Sequence, residues 1–185
     1  SSLIFLRIVP FIGVVVALVL AVVFTKSVNK KDRGNKTMQE ISDAIYAGSR
    51  AYLNQQAKIM LIFFVVIEIL LFVMVQFHFL QYASMLAFIT GGGFSLLIGY
   101  IGMWISTRTN SRVTQAAKEK GLGEAMNIAF TAAAASGLIL GVVALFDTAF
   151  WFNILFWWYG RYTSDLVSVL DYVVNILVTF TIGAS

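Results

Sequence analysis

Gly99-Tyr-Ile-Gly-Met-Trp-Ile-Ser-Thr-Arg-Thr-Asn-Ser-Arg-Val-Thr-Gln-Ala-Ala117 joins two kinds of sequence without a break. Its first half completes an apolar run that begins near Tyr82, and its second half is polar and carries Arg108 and Arg112. An α-helix rises about 1.5 Å per residue, so roughly 20 apolar residues cross the hydrocarbon core of a bilayer. The stretch reads as a membrane helix that leaves the lipid and continues into water. Cations at its exit set an orientation, because cytoplasmic flanks of membrane helices are enriched in Lys and Arg. The basic end is expected to face the cytosol.

Composition extends this reading to the whole chain. Soluble domains are about 45–50% apolar and about 25% charged. This chain is 59% hydrophobic and 12% charged, with a mean hydropathy of +0.86. An all-α, polytopic membrane helical bundle is expected, as a single membrane domain over residues 1–185. No segment shows the ten-residue alternation of a membrane β-strand. The absence of cysteine excludes disulfides, thiolate nucleophiles and Cys-ligated metals. The net charge of +4 is no nucleic-acid signature, because the cations follow the membrane topology.

Five spans are predicted, at about 3–25, 60–75, 83–105, 125–149 and 166–185, with cytosolic segments at 26–58 and 106–124. The first is too long for a secretory signal and lacks a small-residue cleavage site. Arg7 and Pro10 lie in its first turns, where Arg can snorkel and Pro is least disruptive. In 26–58, Thr37-Met-Gln-Glu40 has capping-box spacing, and Met38, Ile41, Ile45, Gly48 and Tyr52 recur at helical spacing. That segment reads as an amphipathic helix running into the second span. Gly91-Gly-Gly93, Gly99, Gly102, the run Ala132–Gly137 and Gly141 mark expected helix–helix contacts. Residues 150–164 are an aromatic belt of the kind found at membrane interfaces. The segments 26–58 and 106–124 hold 11 of the 13 cations, while the other loops hold only Arg161. The N-terminus is therefore expected outside, with loops one and three cytosolic. The chain has no initiator Met and ends on Gly183-Ala184-Ser185 within an apolar segment, so it is expected to be a piece of a longer chain.

Few residues could carry chemistry. Glu68, deep in the second span, is the intramembrane candidate. Buried carboxylates in lipid are costly, so it reads either as a proton or cation carrier or as a hydrogen-bonded group facing a neighbouring helix. His78 belongs to an outer loop and reads as interfacial. Asp147, Asp165 and Asp171 lie near the outer ends of spans four and five, and Asp165 suits a helix start. Arg108 and Arg112 could contact phosphate, yet membrane orientation explains them without a ligand. No P-loop, metal-ligand spacing or nucleophile–base set occurs. No catalytic, cofactor-binding or metal-binding residue is assigned.

A family resemblance adds to this. Gly99-Tyr-Ile-Gly-Met103, Thr107-Arg-Thr-Asn110, Arg112 and Ala116-Ala117 resemble the third-helix segment of the membrane-integral pyrophosphatases. Three further blocks are similar in order and spacing. The first is Gly34, Met38, Ile41, Ile45, Gly48, Ala51, Tyr52 and Leu53; the second is Gly121-Leu122, Ala125, Ala129-Phe130 and Gly137. The third is Phe180 with Gly183-Ala-Ser185. Gln55, Ala57 and Thr131-Ala-Ala133 depart from the family pattern, as in a divergent member. The resemblance implies a pump that couples pyrophosphate hydrolysis to H⁺ or Na⁺ transport. It also implies Mg²⁺ bound by ligands outside this segment, a K⁺ dependence in some members, and a homodimer packed with the remaining helices of its parent. Its place would be the cell membrane of a prokaryote or an acidic organelle membrane. A non-catalytic multi-span membrane subunit that packs against partner helices is the alternative. A small transporter using Glu68 would show an internal repeat, and none is found.

Overall fold

The computed structural model describes residues 2–162 and 165–185, with side chains from Arg7 onward. Among the described residues it contains five α-helices and no strand: α1 Ser2–Asn29, α2 Lys36–Gln76, α3 Tyr82–Lys120, α4 Leu122–Tyr159 and α5 Leu166–Ala184. All five are long and apolar enough to cross a membrane. The protein is a multi-pass integral membrane protein. The polar halves of α2 and α3 are unbroken continuations of their spans, at 41 and 39 residues. Helix α4 carries on through the aromatic belt to Tyr159. Thr163 and Ser164, the last residues of the expected belt, lie outside the described residues.

Helix ends follow local chemistry. The expected capping box at Thr37 is not used. Asn35 caps α2 instead, its Oδ1 accepting from the Met38 amide at 2.9 Å. Asp32 Oδ1 accepts from the Gly34 amide at 2.9 Å, and Gly34 has φ +80°. Gly121, at φ +83°, is the one residue between α3 and α4 and ends α3 in the left-handed conformation that glycine adopts without penalty. His78 takes the same region, at φ 61°, just past α2. Asp165 caps α5 and accepts from the Ser168 hydroxyl and from the Ser168 and Val167 amides. Those bonds, the hydroxyl first, hold its carboxyl below the ordinary value of 3.8. The cap is fully formed above that value and is lost as pH falls below it.

The chain packs as two compact units, one of Ser1–Ile12, Ala57–Leu97 and Val143–Ser185, the other of Gly13–Gln56 and Ile98–Val142. In the first, Ala87 of α3, Trp151 and Leu155 of α4, and Val169, Val173 and Ile176 of α5 form the core. Tyr159 and Tyr172 stack with ring centroids 4.2 Å apart, and Trp151 Nε1 donates to Thr90 Oγ1 at 2.9 Å. Arg7 donates to Asn153 Oδ1 at 2.7 Å and lies over the Phe156 ring. Helices α3 and α5 touch backbone to backbone. A Cβ at Gly91 would lie 2.6 Å from the Phe180 carbonyl oxygen, and one at Gly183 would overlap the Phe88 carbonyl.

In the second unit Val28, Ile105, Ala116, Ala125, Ile128 and Ala132 form the core. Buried Ser42 of α2 donates to the Thr107 carbonyl of α3 at 3.0 Å. The expected small-residue contacts are met only in part. Ala132 and Ala135 are buried, whereas nothing among the described residues comes within 4 Å of a Cβ at Gly99, Gly102, Gly137 or Gly141.

Candidate functional site

Polar side chains that the helical framework does not itself require gather at the basic end of the second unit. Helix α1 ends at Asn29 and leaves carbonyls without intrahelical donors. The Arg112 guanidinium, only 7% exposed, donates to the Asn29 and Lys31 carbonyls, each at 3.2 Å, and to that of Arg108. A planar guanidinium can serve several acceptors at once, which an ammonium cannot. Around it, Lys31 Nζ bonds Glu124 Oε1 at 2.8 Å, Arg33 bonds Asp43 Oδ1 at 2.7 Å, and Gln115 bonds Glu119 Oε1 at 2.5 Å. The cavity between Lys31, Asp32, Arg112, Glu119 and Glu124 is small, about 40 Å³, and its side chains already bond one another. Arg112 is therefore a clamp on the end of α1. Arg108 lies over the Trp104 ring, 5.0 Å from its centroid.

Two further carboxylates, Glu68 and Asp147, are buried separately in the first unit. Glu68 lies in a groove of about 510 Å³ walled by Leu61, Phe64, Ile69 and Phe72 of α2 and Met85 and Ile89 of α3. Both its oxygens are shielded from solvent, and neither has a hydrogen-bond partner among the described residues. Asp147 is 1% exposed, and its Oδ2 is likewise unpartnered. Asp171 is exposed, beside Ser168 and Asn175 in a cleft of about 670 Å³. Among the described residues no three His, Cys, Asp or Glu side chains gather closely enough to hold a metal ion. Asp43 and Glu124 are in ion pairs with Arg33 and Lys31, and Asp32 accepts from a backbone amide. These acids do not fit a Mg²⁺ site.

The sequence from residue 15 to 185 matches the family model described as inorganic H⁺ pyrophosphatase. The chain belongs to that family. Relatives agree. It is 40% identical over 134 residues to a K(+)-insensitive pyrophosphate-energized proton pump of Pyrobaculum aerophilum, covering 72% of this chain and 18% of that protein. It is 35% identical over 173 residues to a second such pump of Moorella thermoacetica, covering 94% of this chain and 23% of that protein. A Bacteroides thetaiotaomicron relative, 33% identical over 172 residues and covered over 92% and 23%, is provisionally named a K(+)-stimulated pyrophosphate-energized sodium pump. The chain thus spans about a fifth of the length of these curated relatives.

Within this segment the sequence singled out Glu68 and gave less weight to two residues that the structure buries, Asp147 and Arg112. Asp147 looked peripheral because it lies near the outer end of its span, but the fold leaves it 1% exposed. Arg112 looked like a topology signal. The only hint of its clamp was its spacing of four from Arg108, which places both on one face of α3.

Proposed function

We propose that the chain is a helical segment of a membrane pump that couples pyrophosphate hydrolysis to H⁺ or Na⁺ movement. The family match over residues 15–185, on a chain with five membrane-length helices, carries this reading. The acids in this segment do not fit Mg²⁺, so in this proposal metal and pyrophosphate are held by other parts of the longer protein. Homodimer formation and residence in a prokaryotic cell membrane are proposed on the same family match, while the relatives include both K(+)-insensitive and K(+)-stimulated pumps. Proteoliposomes of the full-length protein should acidify or load Na⁺ when given Mg²⁺ and pyrophosphate outside. Ion movement driven equally well without pyrophosphate would overturn the proposal. In the same assay Glu68→Gln is expected to leave pumping largely intact. Gln keeps the size and removes the ionisable proton, and no partner in the groove depends on the carboxylate. Loss of transport with hydrolysis retained would instead make Glu68 an ion carrier.

The orientation proposed is N-terminus out, with 26–58 and 106–124 in the cytosol, since those segments hold 11 of the 13 cations. The chain has no cysteine, so single-Cys variants at Lys26 and Lys118 report cleanly. An impermeant thiol reagent should leave both unlabelled in intact cells and label both after permeabilisation. Labelling of either in intact cells reverses the orientation.

A further inference from the structure

In the second unit α2 and α3 run side by side, and the Tyr100 hydroxyl donates to Asn54 Oδ1 at 2.7 Å. From Asn54 to the end of α2 at Gln76, and from Tyr100 back to the start of α3 at Tyr82, the helices rise about 33 and 27 Å. Those lengths are close to the hydrocarbon core of about 30 Å, so the Asn54–Tyr100 pair lies at the basic interface of the bilayer, within two turns of the expected span ends at residues 60 and 105. At this level lies an open groove of about 500 Å³, lined by Tyr46, Arg50 and Asn54 of α2 and by Tyr100, Met103 and Trp104 of α3. Arg108 stands beside it, with its guanidinium 5.0 Å from the Trp104 ring centroid and 6.0 Å from that of Tyr46. Helical side chains lean toward the helix N-terminus, so Arg108 is carried back toward the membrane.

The groove has no counter-charge. Neither Arg50 nor Arg108 has an ion-pair partner among the described residues, unlike Lys31 and Arg33 nearby. Helix α2 has no Asp or Glu between Asp43 and Glu68, and α3 has none from Tyr82 to Lys118. Arg50 therefore lines an aromatic-walled space at the interface, Arg108 stands beside two of its rings, and no carboxylate is among its lining residues. Basic pockets between membrane helices bind anionic lipid headgroups by this chemistry.

We infer that this groove binds a phospholipid with an anionic headgroup, drawn from the leaflet at the basic end of the helices. The phosphate sits between Arg50 and Arg108. The Asn54 amide nitrogen, left over once its oxygen accepts from Tyr100, donates to the headgroup or glycerol oxygens. Tyr46 and Trp104 pack against the glycerol region, as amphipathic aromatics do at an interface. A free phosphate would use the cations and leave the aromatic wall without a role. The site lies apart from any pyrophosphate chemistry and does not depend on the proposed pump.

Native mass spectrometry of the full-length protein in detergent tests this, with phosphatidylglycerol or phosphatidylcholine titrated in. The first phosphatidylglycerol should bind more tightly than phosphatidylcholine. Arg50→Gln should weaken phosphatidylglycerol about fivefold, and Arg50→Gln with Arg108→Gln about 25-fold, with phosphatidylcholine unchanged. Arg50→Lys keeps the charge and should recover most of the loss, which separates headgroup binding from misfolding. Lys118→Gln removes the same charge outside the groove and should have no effect. Equal phosphatidylglycerol binding by wild type and Arg50→Gln would overturn the inference. Arg50-dependent displacement of the lipid by inorganic phosphate or pyrophosphate at matched ionic strength would also overturn it, in favour of a free-anion site.

Discussion

Gly183→Leu is expected to destabilise the protein by about 1–3 kcal/mol or more and to loosen α5 from α3. The cause is steric. A Cβ at Gly183 overlaps the backbone carbonyl of Phe88, and backbone cannot rotate aside as a side-chain tip can. The reciprocal contact lies less than one turn away, where Gly91 faces the Phe180 carbonyl at 2.6 Å. Two glycines, one on each helix, thus set the approach of the pair, and bulk at either separates both. Small residues act this way in membrane interiors, where packing replaces the hydrophobic drive of water. Lost packing around Val173 and Ile176, both at 0% exposure, would follow. Thermal unfolding in detergent checks this against Ile182→Leu, an exposed neighbour of unchanged volume. Equal midpoints for the two variants would rule out the close approach.

Arg112→Met should cost about 2–4 kcal/mol, because charge-assisted hydrogen bonds are worth about 1.5–3 kcal/mol each and do not add fully. Methionine fills similar space but leaves the carbonyls of Asn29 and Lys31 without their donor. It also removes a cation from the C-terminal end of the α1 dipole. Arg112→Lys should recover only part of the loss, since one ammonium cannot reach both carbonyls in the plane that a guanidinium spans. Hydrogen exchange locates the effect: amides near Asn29 should lose protection in Arg112→Met before those of α5 do. Wild-type stability in Arg112→Met would show that the clamp contributes nothing.

These two residues show where the sequence was readable and where it stopped. Hydropathy and cation placement were enough for five helices, because lipid permits few alternatives to apolar helices of set length. Glycine content correctly signalled backbone contact, but not which glycines. Gly183 and Gly137 look alike in a helical pattern, and only the rotation of each helix about its axis separates a touching glycine from an open one. Caps were harder still. Thr37 through Glu40 has the right letters for a capping box, but Asn35 starts the helix two residues earlier, assisted by the turn at Gly34. The Arg112 clamp joins residues 81 and 83 positions apart, a separation that no local pattern reports. Asp147 shares that difficulty, since burial of one carboxylate depends on which neighbours close over it.

The continuous helices of the second unit also sort its charges by distance from the bilayer surface. Arg50 lies four residues beyond Asn54, about 6 Å along α2, whereas Arg112 lies twelve residues beyond Tyr100, about 18 Å along α3. The surface potential of an anionic leaflet decays over a Debye length of about 8 Å in physiological salt. Arg50 therefore stands within that field, while Arg112 and the Lys31–Glu124 bridge beside it stand beyond most of it. Lipid composition should tune the lower cation and bulk ionic strength the upper pair, so one helix pair reports two separate electrical environments.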